Sequence, residues 1–319
     1  MMSTKEKKES SCVIMALESG IEYENLESAP EEPLLVEMIG IQPDMLLDIS
    51  RRFDIDLEDL QDLNDPDERP RLQVEDKFTL VVLRVPLDLD VTDRVHSTAP
   101  VGMVTNGRDI IIIQNERFPL RKKRLLYAVR RATTPSEVIY REWEAIIHSF
   151  ETTLDIIEMT IKNTEASIMK ELYPSRMDRF FQLSRDAIFI ETALRSNMRV
   201  LRRMRSLQRV GRMILYEDRL EELAVDLKQQ MDLSSIYREL IENAMNAYDS
   251  IVNHNLNRVM KTLTSISLLV SVPTLIASIY GMNVGLPLEQ DPLAFPVIMI
   301  LSILITLPVL IILRTNNLV

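Results

Sequence analysis

Two apolar segments fill most of the last sixty or so residues, and everything before them is polar and charge-rich. The first runs from about Thr262 to Tyr280 and the second from Ala294 to Leu313. At a rise of 1.5 Å per residue, each is long enough to cross a bilayer as a helix. Only residues 281–293 lie between them, so the pattern predicts a membrane hairpin on a large polar body.

The beginning of the body predicts a small α/β domain over residues 11–135, after a disordered tail at 1–10. Its β-rich runs are Cys12–Met15, Leu34–Met38, Val101–Val104, Phe78–Arg84 and Ile110–Ile113, and its short helices are Gln42–Phe53 and Asp56–Leu63. Asn106-Gly107 stands between two of these runs and predicts a β-hairpin.

Long helical periodicity begins near Ser136. Pro174 divides a first helix, Ser136–Leu172, from a second, Ser175 to about Ile214, and the pair predicts a helical hairpin over 136–216. From Glu217 the chain has no Gly or Pro until Pro273. We therefore expect one helix, a stalk over 217–261 that continues as the first membrane segment over 262–280, approaching 100 Å in length. The alternative is two helices with a break near 232–235.

The first apolar segment carries polar residues at alternating steps of three and four, which places them on one narrow face of a helix. We call this set the polar stripe; its members are Asn257, Met260, Thr264, Ser267, Ser271, Thr274 and Ser278. Six of the seven have a side-chain oxygen or amide, and facing lipid would be costly for them. A ring of identical hairpins could direct the stripes to a shared axis as a water-filled pore. The alternative is a dry, tightly packed oligomer core.

Composition excludes several other classes. The net charge of −11 argues against nucleic-acid binding. A single cysteine, Cys12, excludes a disulfide framework, and His96, His148 and His254 lack metalloprotease spacing. No nucleotide-binding GxxxxGK[ST] loop is present, so ATP is not implied, and no nucleophile–base pattern indicates an enzyme. The charged N-terminus has no apolar region after it, so we expect no signal peptide.

Charges beside the membrane segments predict their orientation. Arg258 and Lys261 precede the first segment and Arg314 follows the second, whereas the connecting loop carries Glu289 and Asp291. The positive-inside rule therefore predicts that both termini are cytoplasmic, with residues 314–319 as a short inner tail. We expect a multi-pass protein of the cell membrane, that is, the inner or plasma membrane.

The loop begins with Tyr280-Gly281-Met282-Asn283. We expect Gly281 to end the helix as a residue able to adopt positive φ. In a symmetric ring, Asn283 would contribute a collar of neutral amide oxygens at the outer mouth. Such a collar suits hydrated Mg²⁺, an ion that gives up its water reluctantly. By itself this tripeptide also fits an ordinary turn.

These residues together resemble the CorA family of magnesium channels, whose signature YGMN closes the first of two C-terminal membrane helices. Asn257-Arg-Val-Met-Lys-Thr-Leu-Thr264 resembles the family's entry to the pore helix, and Thr274 to Asn283 resembles its exit. The likeness in sequence covers about 245–314, and over 11–244 it is one of architecture. It implies an α+β membrane protein: a cytoplasmic α/β domain, a long helical stalk and a two-helix hairpin, assembled as a funnel-shaped homopentamer.

The resemblance also implies roles for particular residues. Asn283 would contact hydrated Mg²⁺, Thr274 and Asn257 would be polar pore positions, and Met260 and Leu263 would form an apolar gate. Ser271 stands where an apolar residue is familiar in the family. Glu222 matches the expected stalk acid of a regulatory Mg²⁺ site, with its partner among Asp88, Asp90 and Asp93. The chain departs from the family in lacking a terminal lysine cluster and in having Gly285 where an acid is common.

The function expected from the resemblance is a passive Mg²⁺ channel for influx, driven by the membrane potential and closed by cytoplasmic Mg²⁺. Within the same class, the alternatives are transport of Co²⁺, Ni²⁺ or Zn²⁺, or efflux. From another class, the alternative is a membrane-anchored oligomeric scaffold or sensor that does not conduct. Intact Met282 favours magnesium over zinc.

Overall fold

The structure is a computed structural model that describes most of the chain. The residues described are 11–26, 28, 32–40, 43–63, 65–87, 97–114, 132–168, 175–207, 209–210, 213–287 and 292–315. The chain divides into two compact units, Met1–Asn243 and Ala244–Val319. Among the predicted site residues, Asp88, Asp90, Asp93, Glu289 and Asp291 lie outside the described residues.

A seven-stranded mixed sheet organises the first unit. Its strands are β1 (Ser11–Ala16), β2 (Glu22–Tyr23), β3 (Leu34–Ile39), β4 (Arg71–Val74), β5 (Thr79–Pro86), β6 (Thr98–Thr105) and β7 (Ile110–Gln114). The order across the sheet is β2-β1-β3-β7-β6-β5-β4. Only the β3–β7 pair is parallel among the described strands, and each of the others is antiparallel.

The helices are α1 (Pro43–Phe53), α2 (Leu57–Asp62), α3 (Pro135–Ile168), α4 (Ser175–Leu207), α5 (Glu217–Tyr280) and α6 (Ala294–Thr315). Two short strands, β8 (Arg209–Val210) and β9 (Met213–Ile214), pair between α4 and α5. The expected extension of the second long helix to Ile214 is therefore wrong. The chain turns into a hairpin there, and Gly211, a poor helix former, stands between the two strands in sequence.

Successive side chains of each strand point to opposite faces of the sheet, and each face is covered by its own hydrophobic core. On one face, Leu80, Val82 and their neighbours pack with residues of α1 and α2, including Ile49 and Phe53. On the other, α3 and α4 contact β5, where Val81, Leu83 and Val85 are buried. Burial on both faces explains why the strands read as continuous apolar runs and not as alternating ones. All the β-rich runs taken from the sequence are strands, and the Asn106-Gly107 hairpin is confirmed, with Gly107 at φ 89°.

Three long helices pack together beside the sheet. The Tyr140 hydroxyl accepts a 2.6 Å hydrogen bond from the Tyr216 N–H, and Tyr237 donates a 2.8 Å bond to Glu158. The later residue of α3 contacts the later residue of α5, so α3 and the start of α5 run parallel. Arg205 pairs with Glu221, and Arg238 donates to Glu191 at 2.9 Å, so α4 runs antiparallel to both. Burial, followed by the bond to Glu158, raises the pKa of Tyr237 to about 12.

A small polar cluster is buried between this helical layer and the sheet. Gln114 of β7 donates a 3.1 Å hydrogen bond to Glu37 of β3, and Glu142 of α3 lies close to the same carboxylate. The Glu142 side chain is 1% exposed, and its Oε2 atom has no hydrogen-bond partner. Burial and then the neighbouring Glu37 hold the pKa of Glu142 well above its usual range, which favours the protonated form.

The second unit contains the end of α5 and all of α6. The prediction of one uninterrupted helix is confirmed, because α5 continues from Glu217 through Pro273 to Tyr280 without a break near 232–235. Both α5 and α6 contain a stretch long and apolar enough to cross a membrane. α6 begins at Ala294, as the hydropathy pattern predicts, and ends two residues beyond Leu313.

Candidate functional site

The polar stripe lies on the side of α5 that faces away from α6. All seven stripe residues are exposed in the single chain. Within residues 257–280 of α5, the buried or half-buried positions are Ser265, Leu269, Val272, Ile276 and Tyr280. At 100° per residue, the centres of these two sets are separated by about 150° around the helix axis. The hairpin therefore covers one face of α5 and leaves the stripe on the opposite face.

α6 supplies the surface that matches the covered face. Its buried or half-buried positions recur at helical spacing: Ile298, Ser302, Thr306, Val309 and Leu313. The two polar interruptions in α6 thus point into the hairpin, where Thr306 donates a 2.7 Å hydrogen bond to the Ser302 carbonyl. Ser265 on α5 is only 1% exposed. Small residues on both helices permit close approach, as is usual for membrane helix pairs.

Hydroxyl groups of the stripe present their oxygen atoms outward. Ser271 donates to the Ser267 carbonyl at 2.7 Å, and Thr274 donates to the Val270 carbonyl at 2.8 Å. Each hydroxyl hydrogen is therefore used within the helix, while the oxygen keeps its lone pairs. A row of acceptors suits the water shell of a cation, because the shell directs hydrogen atoms outward. The apolar positions Met260 and Leu263 are also exposed, at 58% and 57%.

The helix closes at the YGMN sequence with ordinary backbone geometry. Gly281 N–H bonds to the Ala277 carbonyl at 3.0 Å, and Met282 N–H bonds to the Ile279 carbonyl at 3.2 Å. Gly281 is not among the glycines with positive φ, so the expectation of a left-handed cap is wrong. A Cβ at this position would lie 3.4 Å from the Ala277 carbonyl oxygen, an ordinary contact. The last of these bonds spans three residues instead of four, as in a 3₁₀ turn, and it ends the helix. Asn283 follows with its side chain exposed.

Glu222 lies in a polar cleft of about 280 Å³ between α3 and the start of α5. The cleft has four carboxylates and two guanidinium groups; these belong to Glu137, Glu144, Glu222, Asp226, Arg141 and Arg219. Glu137 accepts a 2.8 Å bond from Arg141, which lowers the pKa of that carboxyl. Within the described part of the chain, no three potential ligands are grouped closely enough to hold a metal ion. A metal at Glu222 would need further ligands from elsewhere.

Sequence reasoning did not identify the role of Ser265 and Ser302 in the hairpin contact. Their signal was present, because each is a small polar residue at helical spacing from apolar ones. The seven stripe residues lie on one face of α5, as their spacing in the sequence predicts. The regulatory acids can be placed only for Glu222.

Comparisons with known proteins show which family the sequence matches and which fold it shares. A sequence model of the family described as CorA-like Mg²⁺ transporter protein matches residues 37–314. The cobalt/magnesium transport protein CorA of Methanocaldococcus jannaschii is 26% identical over 270 residues, covering 82% of this chain and 83% of that protein. The protein of the same description from Thermotoga maritima is 21% identical over 260 residues, covering 79% and 73% respectively. The complete structure of the M. jannaschii CorA magnesium transporter matches with a TM-score of 0.77 at 22% identity, covering 95% of this chain and 97% of that one.

Proposed function

The chain belongs to the CorA family of Mg²⁺ transporter proteins, which are membrane transporters and not enzymes, and we propose that it is itself a passive Mg²⁺ channel. The observation that carries this proposal is the position of the polar stripe. α6 covers the opposite face of α5, and the stripe's hydroxyl oxygens remain directed outward. The relatives named for cobalt and magnesium transport support divalent cations as the cargo.

A ring of identical subunits would give the stripe a suitable environment. One hairpin covers only one face of α5, and exposing a row of polar groups to lipid is costly. Copies arranged around an axis would direct every stripe into shared water, so α5 would line the pore and α6 would surround it. We propose a homopentamer, following the family resemblance. Both termini would be cytoplasmic, because Arg258, Lys261 and Arg314 flank the spans on one side.

Mg²⁺ would enter this pore with much of its water shell. Asn283 of each subunit would bind that shell through a neutral amide oxygen, firmly enough to select the ion and weakly enough to release it. Glu289 and Asp291 would raise the local cation concentration. Thr274 and Ser271 would then accept hydrogen bonds from the moving shell, and Met260 and Leu263 would form the apolar constriction. A membrane potential of about 100 mV contributes about 4.6 kcal/mol for a divalent ion, which drives influx.

Cytoplasmic Mg²⁺ would hold the channel closed by bridging acids of neighbouring subunits. Glu222 stands in a cleft with three other carboxylates, and its partner would come from Asp88, Asp90 or Asp93 of the next subunit. Bound ions would offset the repulsion between these acids and favour a symmetric closed state. When cytoplasmic Mg²⁺ falls, the ions would leave, and α5, being one helix from the first unit to Tyr280, would transmit the change to the pore.

Flux into liposomes tests this function. Purified protein is reconstituted with a Mg²⁺-sensitive dye inside, and entry is followed for the native chain, Asn283→Ala and Val284→Ala. Val284 is the neighbouring exposed loop residue, so its variant controls for disturbance of the loop. We expect flux from the native chain and Val284→Ala, and loss of flux from Asn283→Ala with the oligomer intact. Co²⁺, Ni²⁺ and Zn²⁺ are measured in parallel to rank the ions.

Absence of flux for any of these ions from well-folded native protein, with internal Mg²⁺ chelated, would reject the channel. A stable oligomer without flux would then support the non-conducting scaffold. A chelator-dependent rise in native flux that Glu222→Gln makes constitutive would support Glu222 as a regulatory ligand.

A further inference from the structure

A second cleft of about 440 Å³ lies on the first unit, between α4 and the strands β5 and β6. Three arginines line it, and we call it the arginine cleft: Arg69, Arg84 and Arg199. Asp67 is the one carboxylate among the lining residues. A concentration of positive charge at one concave site is unexpected in a chain with a net charge of −11. Three guanidinium groups in one cleft make it a candidate site for an anionic ligand.

Arg84 forms a fixed floor for this cleft. Its side chain is half-buried, and its guanidinium donates to Thr98 Oγ1 at 2.9 Å, to the Thr98 carbonyl at 2.7 Å and to the Glu68 carbonyl at 2.9 Å. All three acceptors are neutral, and no described carboxylate forms an ion pair with it. A guanidinium has five N–H groups, so two remain available. Burial lowers the pKa of Arg84, and the nearby carboxylates of Asp67, Asp65 and Glu68 act in the opposite direction.

The other two arginines are free to close on a ligand. Arg69 is exposed, and its guanidinium forms no hydrogen bond or ion pair with the described residues, although its backbone N–H bonds to the Glu68 carboxylate. Arg199 is exposed and donates only to Ser196 Oγ, at 2.8 Å. Both side chains can therefore turn toward a ligand on the fixed Arg84 without breaking an ion pair. Phe189, 38% exposed, forms an apolar wall of the same cleft.

We propose that the arginine cleft binds the phosphoryl group of a small phosphate monoester. Guanidinium groups match phosphate oxygens in bidentate geometry, and a floor already fixed by hydrogen bonds lowers the entropic cost of binding. The cleft is larger than one phosphate ion needs and lies in the usual size range of small-molecule sites. The rest of the ligand would lie against Phe189. The site is separate from the polar stripe and does not depend on conduction.

Calorimetric titration of the full-length protein in detergent, without divalent cations, tests the proposal. The probes are adenosine monophosphate, adenosine and inorganic phosphate. We expect saturable binding of the monophosphate at one site per subunit and none of adenosine. The double variant Arg69→Ala/Arg199→Ala should weaken binding at least about tenfold, equivalent to about 1.4 kcal/mol. Arg202→Ala, an exposed arginine of α4 outside the cleft, should bind like the native chain.

Several results would overturn the site. These are no saturable binding of either phosphate compound, equal binding of adenosine, or equal loss in Arg202→Ala, which would indicate general charge attraction. If the double alanine variant does not fold, Arg69→Lys/Arg199→Lys keeps the charge but loses bidentate geometry. Affinity unchanged in that variant would also contradict the proposal, whereas a partial loss would support it. Binding of inorganic phosphate as tight as the monophosphate would support the phosphoryl site and remove Phe189 from it.

Discussion

Asn197 of α4 completes the backbone hydrogen bonds of Arg84 in β5. The Arg84 N–H donates to Asn197 Oδ1 at 2.9 Å, and Asn197 Nδ2 donates to the Arg84 carbonyl at 2.7 Å. β4 pairs with β5 only from Thr79 to Val82, so no strand among the described residues lies on that side of Arg84. One amide side chain thus replaces a neighbouring strand and joins the helical layer to the sheet.

Removing this amide should destabilise the first unit markedly. Asn197 is 0% exposed, so Asn197→Ala leaves a backbone donor and a backbone acceptor without partners, at a cost of about 2–4 kcal/mol. Trp143 is the single tryptophan and is fully buried in this unit, so its fluorescence during urea unfolding measures the change. Asn243→Ala, at an exposed position of α5, should leave the midpoint unchanged. A midpoint for Asn197→Ala equal to that of Asn243→Ala would refute this role.

Gly102 and Leu63 form a close contact beneath α2. A Cβ on Gly102 would come within 2.4 Å of Leu63 Cδ1 and 2.9 Å of its Cγ, and Leu63 is fully buried. We expect Gly102→Ala to cost about 1–3 kcal/mol by overpacking, measured by Trp143 fluorescence. The double variant Gly102→Ala/Leu63→Ala should lose less stability than the sum of the losses in the two single variants. We expect the difference to be at least about 0.5 kcal/mol. Strict additivity would show that the core relaxes around the new methyl group.

The sequence predicted most elements because each has a local signal. The Ile110 run, the Asn106-Gly107 turn and the helix that starts at Glu217 need no distant information. The hairpin at β8 and β9 was missed because two-residue strands are too short to show alternation. The polar stripe was visible from spacing alone, but the face covered by α6 was not, because that depends on two helices meeting. Gly281 was misassigned because an ordinary helical bond already satisfies its N–H.

Buried ionisable side chains were the other feature that the sequence did not predict. Glu142 lies at helical spacing between Val138 and Ile146, both buried, yet a glutamate there is ordinarily read as exposed. Its neighbour Glu37 is more than a hundred residues away in the chain, so no local pattern could show the pair. Arg84 carried a similar signal as one charge within the apolar run of β5. In both cases the tertiary contact, and not the local propensity, decides the environment.

The buried acid should make stability fall as pH rises. The raised pKa of Glu142 means that the folded state keeps a proton that the unfolded state releases above about pH 4.5. Below that pH, Glu142 does not change the free energy of unfolding. As pH rises further, the free energy of unfolding decreases by up to about 1.4 kcal/mol per pH unit until the pKa of the folded state is reached. Glu142→Gln should remove this dependence and raise the urea midpoint at pH 7. Glu144→Gln, its exposed neighbour, should do neither; identical pH profiles for native and Glu142→Gln proteins would contradict the assignment.

Replacing a stripe hydroxyl by an isobutyl group should separate a wet pore from a dry oligomer core. Thr274→Leu removes an outward acceptor and adds apolar bulk, so we expect Mg²⁺ flux in liposomes to fall about tenfold or more, since dewetting obstructs a hydrated ion. Thr262→Leu makes the same change on the same helix at a rotation of about 120°, and it should preserve flux. Chemical cross-linking checks that both variants keep the native oligomer. Equal flux from the two variants would mean that the stripe does not line the ion pathway. Loss of assembly in Thr274→Leu alone would instead show that the stripe is packed between subunits.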